Sequence, residues 1–264
     1  RYLKSPLVLE VARKYYNCKN IKGVELDEND SSHWKARYLL GEYMNSFFYK
    51  PEQVISEFTL AALEDLGFYE VNYYTGGLMQ FGKNKGCEFL NQKCVINGEV
   101  DKSFTNEFFD DIREDGVFRY DPGCSSGRQS KTIRSFGNYY TIPEKYQYFP
   151  SPTVAGIFPL VDYCPVATDL LYNATNVGSC SKRNNAFFDS LIGLNWNQEK
   201  GDDYAPIFYE NYSNHSFCVL SSLVKNSVPN YRNYEKESRP LCYEMYCSEK
   251  SLTIKIDKDL IVCP

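Results

Sequence analysis

This sequence lacks the features of several common functional classes. Among its 264 residues there is no long run of Lys or Arg, and the formal net charge is −5 at pH 7. Because phosphate backbones are bound through clustered positive charge, we expect no nucleic-acid partner. No apolar run is long enough to cross a membrane either, since the best candidate, residues 154–161, is short and contains Pro159. We therefore expect no transmembrane segment in this chain.

Cysteine spacing of the kind that binds zinc or exchanges electrons is also missing. The chain has ten cysteines but no C-x-x-C pair, which argues against zinc ribbons and thioredoxin-like redox sites. Such a set indicates a disulfide framework, and the alternative is a cytosolic protein with ten free thiols. Four N-x-[ST] sequons are predicted glycosylation sites: Asn29, Asn173, Asn211 and Asn214. Cysteines and sequons together indicate the secretory pathway and an extracellular or cell-surface location.

The first residues do not form a secretory leader. The chain starts Arg1-Tyr2-Leu3-Lys4-Ser5-Pro6, whereas a signal peptide has a charged start followed by an apolar stretch. We expect that an N-terminal part of the precursor precedes this sequence.

Histidine is scarce, and this restricts metal chemistry. The only two histidines are His33 and His215, and there is no H-E-x-x-H motif. His215 lies inside a sequon and is interpreted as a surface residue. Taken alone, His33 is more often a structural residue than a metal ligand, and Met44 is most often part of a core.

Apolar residues make up 43% of the chain, which is enough for a packed core. Their periodicity predicts helices and one clear strand. The helices are expected at 5–17, with Ser5 as N-cap and Pro6 as first residue, at 51–67 and at 103–114. The acidic residues of the third helix are interpreted as a solvated face rather than as paired catalytic carboxylates. The alternating pattern predicts a strand over 251–257.

The residue composition of the sequence changes near residue 90. Beyond it, Gly, Pro, Asn, Ser and Cys interrupt short Tyr, Phe and Val runs, which is typical of irregular and β structure held by crosslinks. We predict two domains, 1–90 and 91–264.

Several blocks, in order along nearly the whole chain, resemble the leishmanolysin family. The densest block contains Ser32-His33-Trp34, Gly41-Glu42-Tyr43-Met44 and residues 58–69. Further similar blocks are residues 5–18, 23–26, 81–90, 155–165, 178–180 and 241–247. The chain departs from the family in a short loop before His33 that lacks glycine and carries the Asn29 sequon, and in Lys35, where an acidic residue is common.

The resemblance implies an α+β fold. The helical C-terminal part of a metzincin catalytic unit, residues 1–90, is followed by a disulfide-rich, mostly β or irregular domain, residues 91–264. Metzincins bind catalytic zinc through H-E-x-x-H and a third His above a Met-turn. By this resemblance His33 is the third zinc ligand, Met44 is the Met-turn residue, and residues 45–49 help to wall the substrate pocket. Two zinc ligands and the general base are absent here, so Zn²⁺ would need an upstream segment.

The family-like positions of the cysteines imply five disulfide bonds. These are Cys18–Cys87, Cys94–Cys164, Cys180–Cys242, Cys124–Cys218 and Cys247–Cys263.

Two functions follow from the resemblance. The first is the C-terminal portion of a secreted or cell-surface zinc endopeptidase that cleaves protein or peptide substrates and is completed by the N-terminal part of the same precursor. The alternative is a non-catalytic extracellular scaffold or adhesion protein that kept the fold.

Overall fold

The structure, a computed structural model, describes residues 1–28, 32–47, 52–77, 79–110, 121–134, 136–168, 171–172, 175–176, 178–181, 209–223, 238–248 and 250–263. The chain divides into two compact units: unit 1 is Arg1–Arg119 with Ser135–Ala167, and unit 2 is Tyr120–Arg134 with Thr168–Pro264. Helices and strands are both present, which confirms the α+β prediction at this level. The predicted boundary near residue 90 falls within unit 1 and stays a prediction.

Within its described residues, unit 1 has three α-helices and two small sheets. Its helices are α1 (Pro6–Tyr16), α2 (Glu57–Asp65) and α3 (Gly86–Asn91). Its strands pair antiparallel as β1 (Tyr2–Leu3) with β2 (Val24–Glu25) and β5 (Phe136–Asn138) with β6 (Val154–Gly156). Short 3₁₀ turns lie at Tyr73–Thr75, Lys102–Phe104, Glu144–Tyr146 and Pro159–Val161.

The first predicted helix is confirmed, but its cap is different. Pro6 is its first residue and Ser5 holds the N-cap position, yet the Ser5 side chain makes no capping hydrogen bond. Instead the Asp65 carboxylate, at the end of α2, accepts from the N–H groups of Leu7 and Val8 at 3.1 Å. A carboxylate at a helix N-terminus satisfies orphan N–H groups and favours the helix dipole.

The second predicted helix begins later than expected, at Glu57. Ser56 is its N-cap, and the Ser56 Oγ accepts from the N–H of Phe58 at 3.2 Å. Val54, just before it, forms a bridge with Glu42 and exchanges backbone hydrogen bonds with Gly41 and Tyr43. These tertiary contacts keep the segment around Val54 out of the helix, which periodicity could not foresee.

The third predicted helix is wrong for the residues that can be checked. Only a 3₁₀ turn forms, at Lys102–Phe104, and residues 111–114 lie outside the described residues. Glu107 is buried instead of solvated, and its Oε2 forms an ion pair with Nζ of Lys85 at 3.2 Å. Burial raises the pKa of Glu107, and Lys85 offsets part of that rise.

The core of unit 1 is largely aromatic. Most of these ring pairs pack edge-on or stacked, as aromatic pairs prefer, one pair is tilted, and the centroid distances are 5.0–6.3 Å. The Arg37 guanidinium, itself buried, lies 4.4 Å from the ring centre of Phe108. The rings involved are Tyr15, Tyr16, Trp34, Phe58, Phe81, Phe89, Phe104 and Phe108.

Unit 2 is built on a four-stranded antiparallel sheet of order β12-β11-β10-β9. Its strands are β9 (Ser216–Ser221), β10 (Arg239–Cys247), β11 (Leu252–Ile256) and β12 (Asp259–Cys263). The predicted strand at 251–257 is confirmed as β11. Two further antiparallel pairs are present among the described residues of this unit: β3 (Asp121–Cys124) with β4 (Lys131–Arg134), and β7 (Leu171–Tyr172) with β8 (Thr175–Asn176).

Four of the five implied disulfides are present, which confirms a disulfide-rich chain. Unit 1 has Cys18–Cys87 and Cys94–Cys164, and unit 2 has Cys124–Cys218 and Cys180–Cys242.

The fifth implied bond, Cys247–Cys263, is wrong in this structure, where both thiols are free. Cys247 pairs with Leu252 across the sheet, and Leu252 pairs with Cys263 on its other side. The two cysteines are therefore two strand spacings apart, about 10 Å. A disulfide needs Cα atoms within about 7 Å, so the middle strand keeps them separate.

Candidate metal-site region

His33 lies at the end of a narrow loop in unit 1. Leu26 and Trp34 form an antiparallel bridge at the base of the loop, and the N–H of Asp27 donates to the His33 carbonyl at 2.9 Å. The imidazole is half-buried, and the Ser32 hydroxyl lies 3.3 Å from its Nδ1. Residues 29–31, with the sequon at Asn29, are outside the described residues. The hydrogen bond from Asp27 therefore fixes the backbone of His33, the residue that carries the imidazole.

The turn that contains Met44 lies directly against this loop. The N–H of Trp34 donates to the Met44 carbonyl at 2.9 Å, and Trp34 forms a parallel bridge with Asn45. Met44 is 39% exposed, so it is not a buried core residue. The structure thus brings together the two segments that the sequence singled out, eleven residues apart.

Two more polar side chains hold this turn. Asp27 is buried, and its Oδ2 accepts from the Ser46 hydroxyl at 2.8 Å. The amide of Asn45 donates to the Leu39 carbonyl at 3.1 Å and accepts from the N–H of Phe47 at 2.7 Å. The side chain of Asn45, a residue predicted to wall a substrate pocket, is therefore hydrogen-bonded to the backbone of the turn. Residues 48 and 49, also part of that prediction, lie outside the described residues.

Glu42 is a residue whose role sequence reasoning missed. Its carboxylate is almost fully buried and accepts from Thr59 Oγ1 at 2.6 Å, from both the N–H and the hydroxyl of Ser56 at 3.1 Å, and from the N–H of Met44. Burial raises its pKa, and these hydrogen bonds lower it in part, which leaves it above the ordinary value. The available signal was an acidic residue in an otherwise apolar stretch, Leu39-Leu40-Gly41-Glu42.

Lys35, the departure from the family pattern, has its own buried partner. Its Nζ lies 2.7 Å from the Asp162 carboxylate, and both side chains are largely buried. Burial lowers the pKa of Lys35, but the hydrogen bond and the charge of Asp162 more than offset this and leave it raised. The position two residues after His33, where the family commonly has an acidic side chain, therefore holds a lysine that forms an ion pair with Asp162.

Zinc fits the chemistry of His33 but not the number of donors in its surroundings. An imidazole nitrogen is a common zinc ligand, and a catalytic site uses three protein ligands. In the part of the chain that the structure describes, no group of three or more His, Cys, Asp or Glu side chains could hold a metal ion. The assignment of His33 as a zinc ligand, and of Met44 as the Met-turn residue, stays a prediction.

The other predicted surface features lie in unit 2. His215 is exposed, with its ring centre 5.7 Å from that of Tyr246, which confirms the surface interpretation. Asn214 is exposed and Asn211 is half-buried. Asn173 lies outside the described residues. Glycosylation at the four sequons stays a prediction.

Comparison with known proteins decides the family. A family model described as Leishmanolysin matches residues 1–260. The chain belongs to the leishmanolysin family. It is 31% identical to a leishmanolysin homolog of Crithidia fasciculata over 186 residues, 68% of this chain and 26% of that protein. It is 28% identical to leishmanolysin of Leishmania amazonensis over 202 residues, 71% of this chain and 31% of that protein.

The relationship extends to animal proteins. The chain is 26% identical to a leishmanolysin-like peptidase of Caenorhabditis briggsae over 226 residues, 78% of this chain and 33% of that protein. The chain thus spans about a quarter to a third of the length of the leishmanolysin relatives it matches. Within the described ranges, no helix has the length and apolar character to cross a membrane.

Proposed function

We propose that this chain is the C-terminal portion of a secreted or cell-surface zinc endopeptidase of the leishmanolysin family. In this proposal His33 is the third zinc ligand and Met44 lies beneath the metal. The other ligands and the general base come from an H-E-x-x-H segment in the N-terminal part of the same precursor. The substrates are proteins or peptides.

The observation that carries the proposal is the contact between the His33 loop and the Met44 turn. The hydrogen bond from Trp34 to Met44, at 2.9 Å, joins the residue after the proposed ligand to the proposed Met-turn. A zinc ligand and a Met-turn act together only if they are neighbours. Their contact is independent of any family signature.

The chain's own contribution to the chemistry is positional. When bound, zinc lowers the pKa of a water molecule and polarises the scissile carbonyl. His33 would supply one nitrogen to such a metal from a half-buried position, next to the Ser32 hydroxyl. The hydrogen bonds of Asp27, Trp34 and Glu42 would keep the loop and the turn from shifting, since a metal site tolerates little displacement.

The disulfides support the proposed location. Four bridges form between eight of the ten cysteines, and such bonds persist in oxidising compartments. The exposed Asn214 sequon is compatible with glycosylation in the secretory pathway.

The two histidines allow a matched test. The full-length protein would be produced through a eukaryotic secretory pathway, and zinc per molecule and peptide hydrolysis would be measured for wild type, His33→Ala and His215→Ala. We expect His33→Ala to lose bound zinc and at least about 100-fold in activity, because even outer-shell changes cost 10–100-fold. His215→Ala should match wild type.

Two results would count against the proposal. If His33→Ala retained zinc and activity at the wild-type level, His33 would not be a ligand. If the wild-type protein held no zinc and cleaved no peptide, the non-catalytic scaffold or adhesion function would be favoured.

A further inference from the structure

Glu42 is an unusual buried carboxylate. Its side chain is 1% exposed, and in the described part of the chain no salt bridge balances its charge. A buried charge is costly unless hydrogen bonds compensate it. Here the compensation comes from four donors that belong to three different places in unit 1: the Met44 turn, the N-cap of α2 at Ser56, and Thr59 in the first turns of α2.

These hydrogen bonds are part of a closed circuit. One oxygen of Glu42 accepts from the N–H of Met44, and the Met44 carbonyl accepts from the N–H of Trp34 at 2.9 Å. The Trp34 indole Nε1 donates to Thr59 Oγ1 at 2.9 Å. The hydroxyl of Thr59 donates to the other oxygen of Glu42 at 2.6 Å, which closes the circuit.

The circuit holds the Met44 backbone at both its N–H and its carbonyl. Its N–H is held by a side chain and its carbonyl by the residue that follows His33. Movement of either segment would break one of these partly buried hydrogen bonds, and movement of the turn would leave the buried Glu42 carboxylate with one donor fewer. An unsatisfied buried group costs more than it does in water. The loop and the turn are therefore coupled through Glu42 as well as through their direct backbone contact.

We propose that Glu42 is a positioning residue of the site, whose carboxylate locks the Met44 turn and the His33 loop in one mutual arrangement. The inference rests on the proposed function for its consequence, the retention of zinc. Its structural content, the fixing of Met44 and Trp34 by Glu42, can be tested separately. Glu42 touches no substrate and no metal in this proposal.

Glu42→Gln is the most selective change. The glutamine amide has the same shape but only one acceptor oxygen, so it cannot accept from Met44 on one side and from Ser56 and Thr59 on the other. The NH₂ group of the glutamine must then face either the N–H of Met44 or the donors of Ser56 and Thr59, so that a donor faces a donor on that side. Glu107→Gln is the matched control, because Glu107 is also a buried carboxylate of unit 1 but pairs with Lys85, outside the circuit.

The three methionines provide a direct readout. With ¹⁵N-methionine in the full-length protein, Met44, Met79 and Met245 each give one backbone signal from this chain, and Met44→Leu assigns the first. We expect Glu42→Gln to speed hydrogen exchange of the Met44 amide at least about tenfold, because a local opening has become easier. Met79 and Met245 should keep their exchange rates in the same sample, which shows that both units are folded.

A second pair of variants tests the other half of the circuit. Thr59→Val removes the hydroxyl that links Trp34 to Glu42, and Thr59→Ser restores it. We expect Thr59→Val to speed Met44 exchange and to shift the Trp34 indole signal, whereas Thr59→Ser should resemble wild type. This pair also covers the case in which Glu42→Gln does not fold.

The functional consequence is read as zinc release to a chelator. Release from Glu42→Gln should be about tenfold faster than from Glu107→Gln, in the range of outer-shell effects on metal affinity. The inference is overturned if Met44 exchange is the same in Glu42→Gln and Glu107→Gln, or the same in Thr59→Val and Thr59→Ser. It is also overturned if Met44 exchange rises while zinc release does not. If wild type binds no zinc, the proposed function fails. The exchange rate of the Met44 amide still tests whether Glu42 fixes the Met44 turn.

Discussion

Single side chains with partners far away in sequence explain much of what local patterns could not show. Lys131 of β4 is buried, and its Nζ lies 2.6 Å from Glu210 Oε1 and 3.0 Å from the Tyr212 hydroxyl. The same oxygen of Glu210 accepts from the N–H of Cys242 at 2.9 Å. These residues lie on three separate segments of unit 2, so no spacing rule could have joined them.

Removal of the Lys131 charge should destabilise the protein strongly. In Lys131→Met the Glu210 carboxylate stays buried without its cation, and loss of one partner of a buried pair costs about 3 kcal/mol or more. Lys255→Met is the control in the same unit, because Lys255 pairs with Glu244 at 2.8 Å on a more exposed surface. Urea unfolding would measure both, and equal losses would contradict the role given to burial.

The carboxylate of Asp65 should make stability depend on pH. Burial raises its pKa, but hydrogen bonds, including those from the Leu7 and Val8 amides, lower the pKa by a larger amount and leave it below the ordinary 3.8. The unfolded chain therefore binds this proton more tightly than the folded chain. The stabilisation is fully present above pH 3.8 and is lost as pH falls through the folded-state value.

Asp65→Asn should therefore reduce stability by about 1 kcal/mol at pH 7, the usual size of a capping interaction. The difference from wild type should shrink as pH falls below about 4, because the unfolded wild-type chain then takes up a proton on Asp65 before the folded chain does. Glu10→Gln, an exposed change on α1, is the control. Thermal unfolding between pH 3 and 7 measures the effect, and a constant difference across that range would contradict it.

At the scale of the elements, predictions succeeded where local signals agreed with tertiary contacts. Pro6 at the start of α1 and the alternating pattern of β11 are local signals, and both elements form as predicted. The predicted start of α2 was wrong because Glu42 and the bridge at Val54 keep the preceding segment out of the helix. The helix after Ser103 was wrong because Glu107 turns inward to Lys85.

The register of the four-stranded sheet predicts the state of two cysteines. Because β11 separates Cys247 from Cys263, both should react with iodoacetamide in the folded protein without reductant, and the other eight should not. Peptide mass spectrometry after labelling measures this. A linked Cys247–Cys263 peptide would show that the hairpin of β11 and β12 pairs differently from the structure.

At the scale of the whole molecule, the family resemblance implied more than the residues alone could. It implied the four bridges that form, whereas cysteine spacing left their pairing open. It also pointed to His33 and Met44, whose segments are in contact. It did not point to the Glu42 circuit, because four hydrogen bonds between separate segments leave no signal in a single sequence.

The Cys18–Cys87 bridge should stabilise unit 1. It joins the chain just after α1 to α3 and closes a loop of 69 residues. Replacement of both cysteines by Ala should lower the free energy of unfolding by about 2–4 kcal/mol. Denaturant unfolding would measure the loss. A change below about 0.5 kcal/mol, the level of ordinary surface substitutions, would contradict a stabilising role.

The most direct test of the central claim is zinc X-ray absorption spectroscopy on the full-length protein. The account predicts three imidazole nitrogens at about 2.0–2.1 Å from zinc in wild type. His33→Ala is expected to lose its zinc, and zinc added back to this variant should show one imidazole fewer per bound ion, whereas His215→Ala should show the wild-type shell. An unchanged zinc coordination shell in His33→Ala would contradict the account.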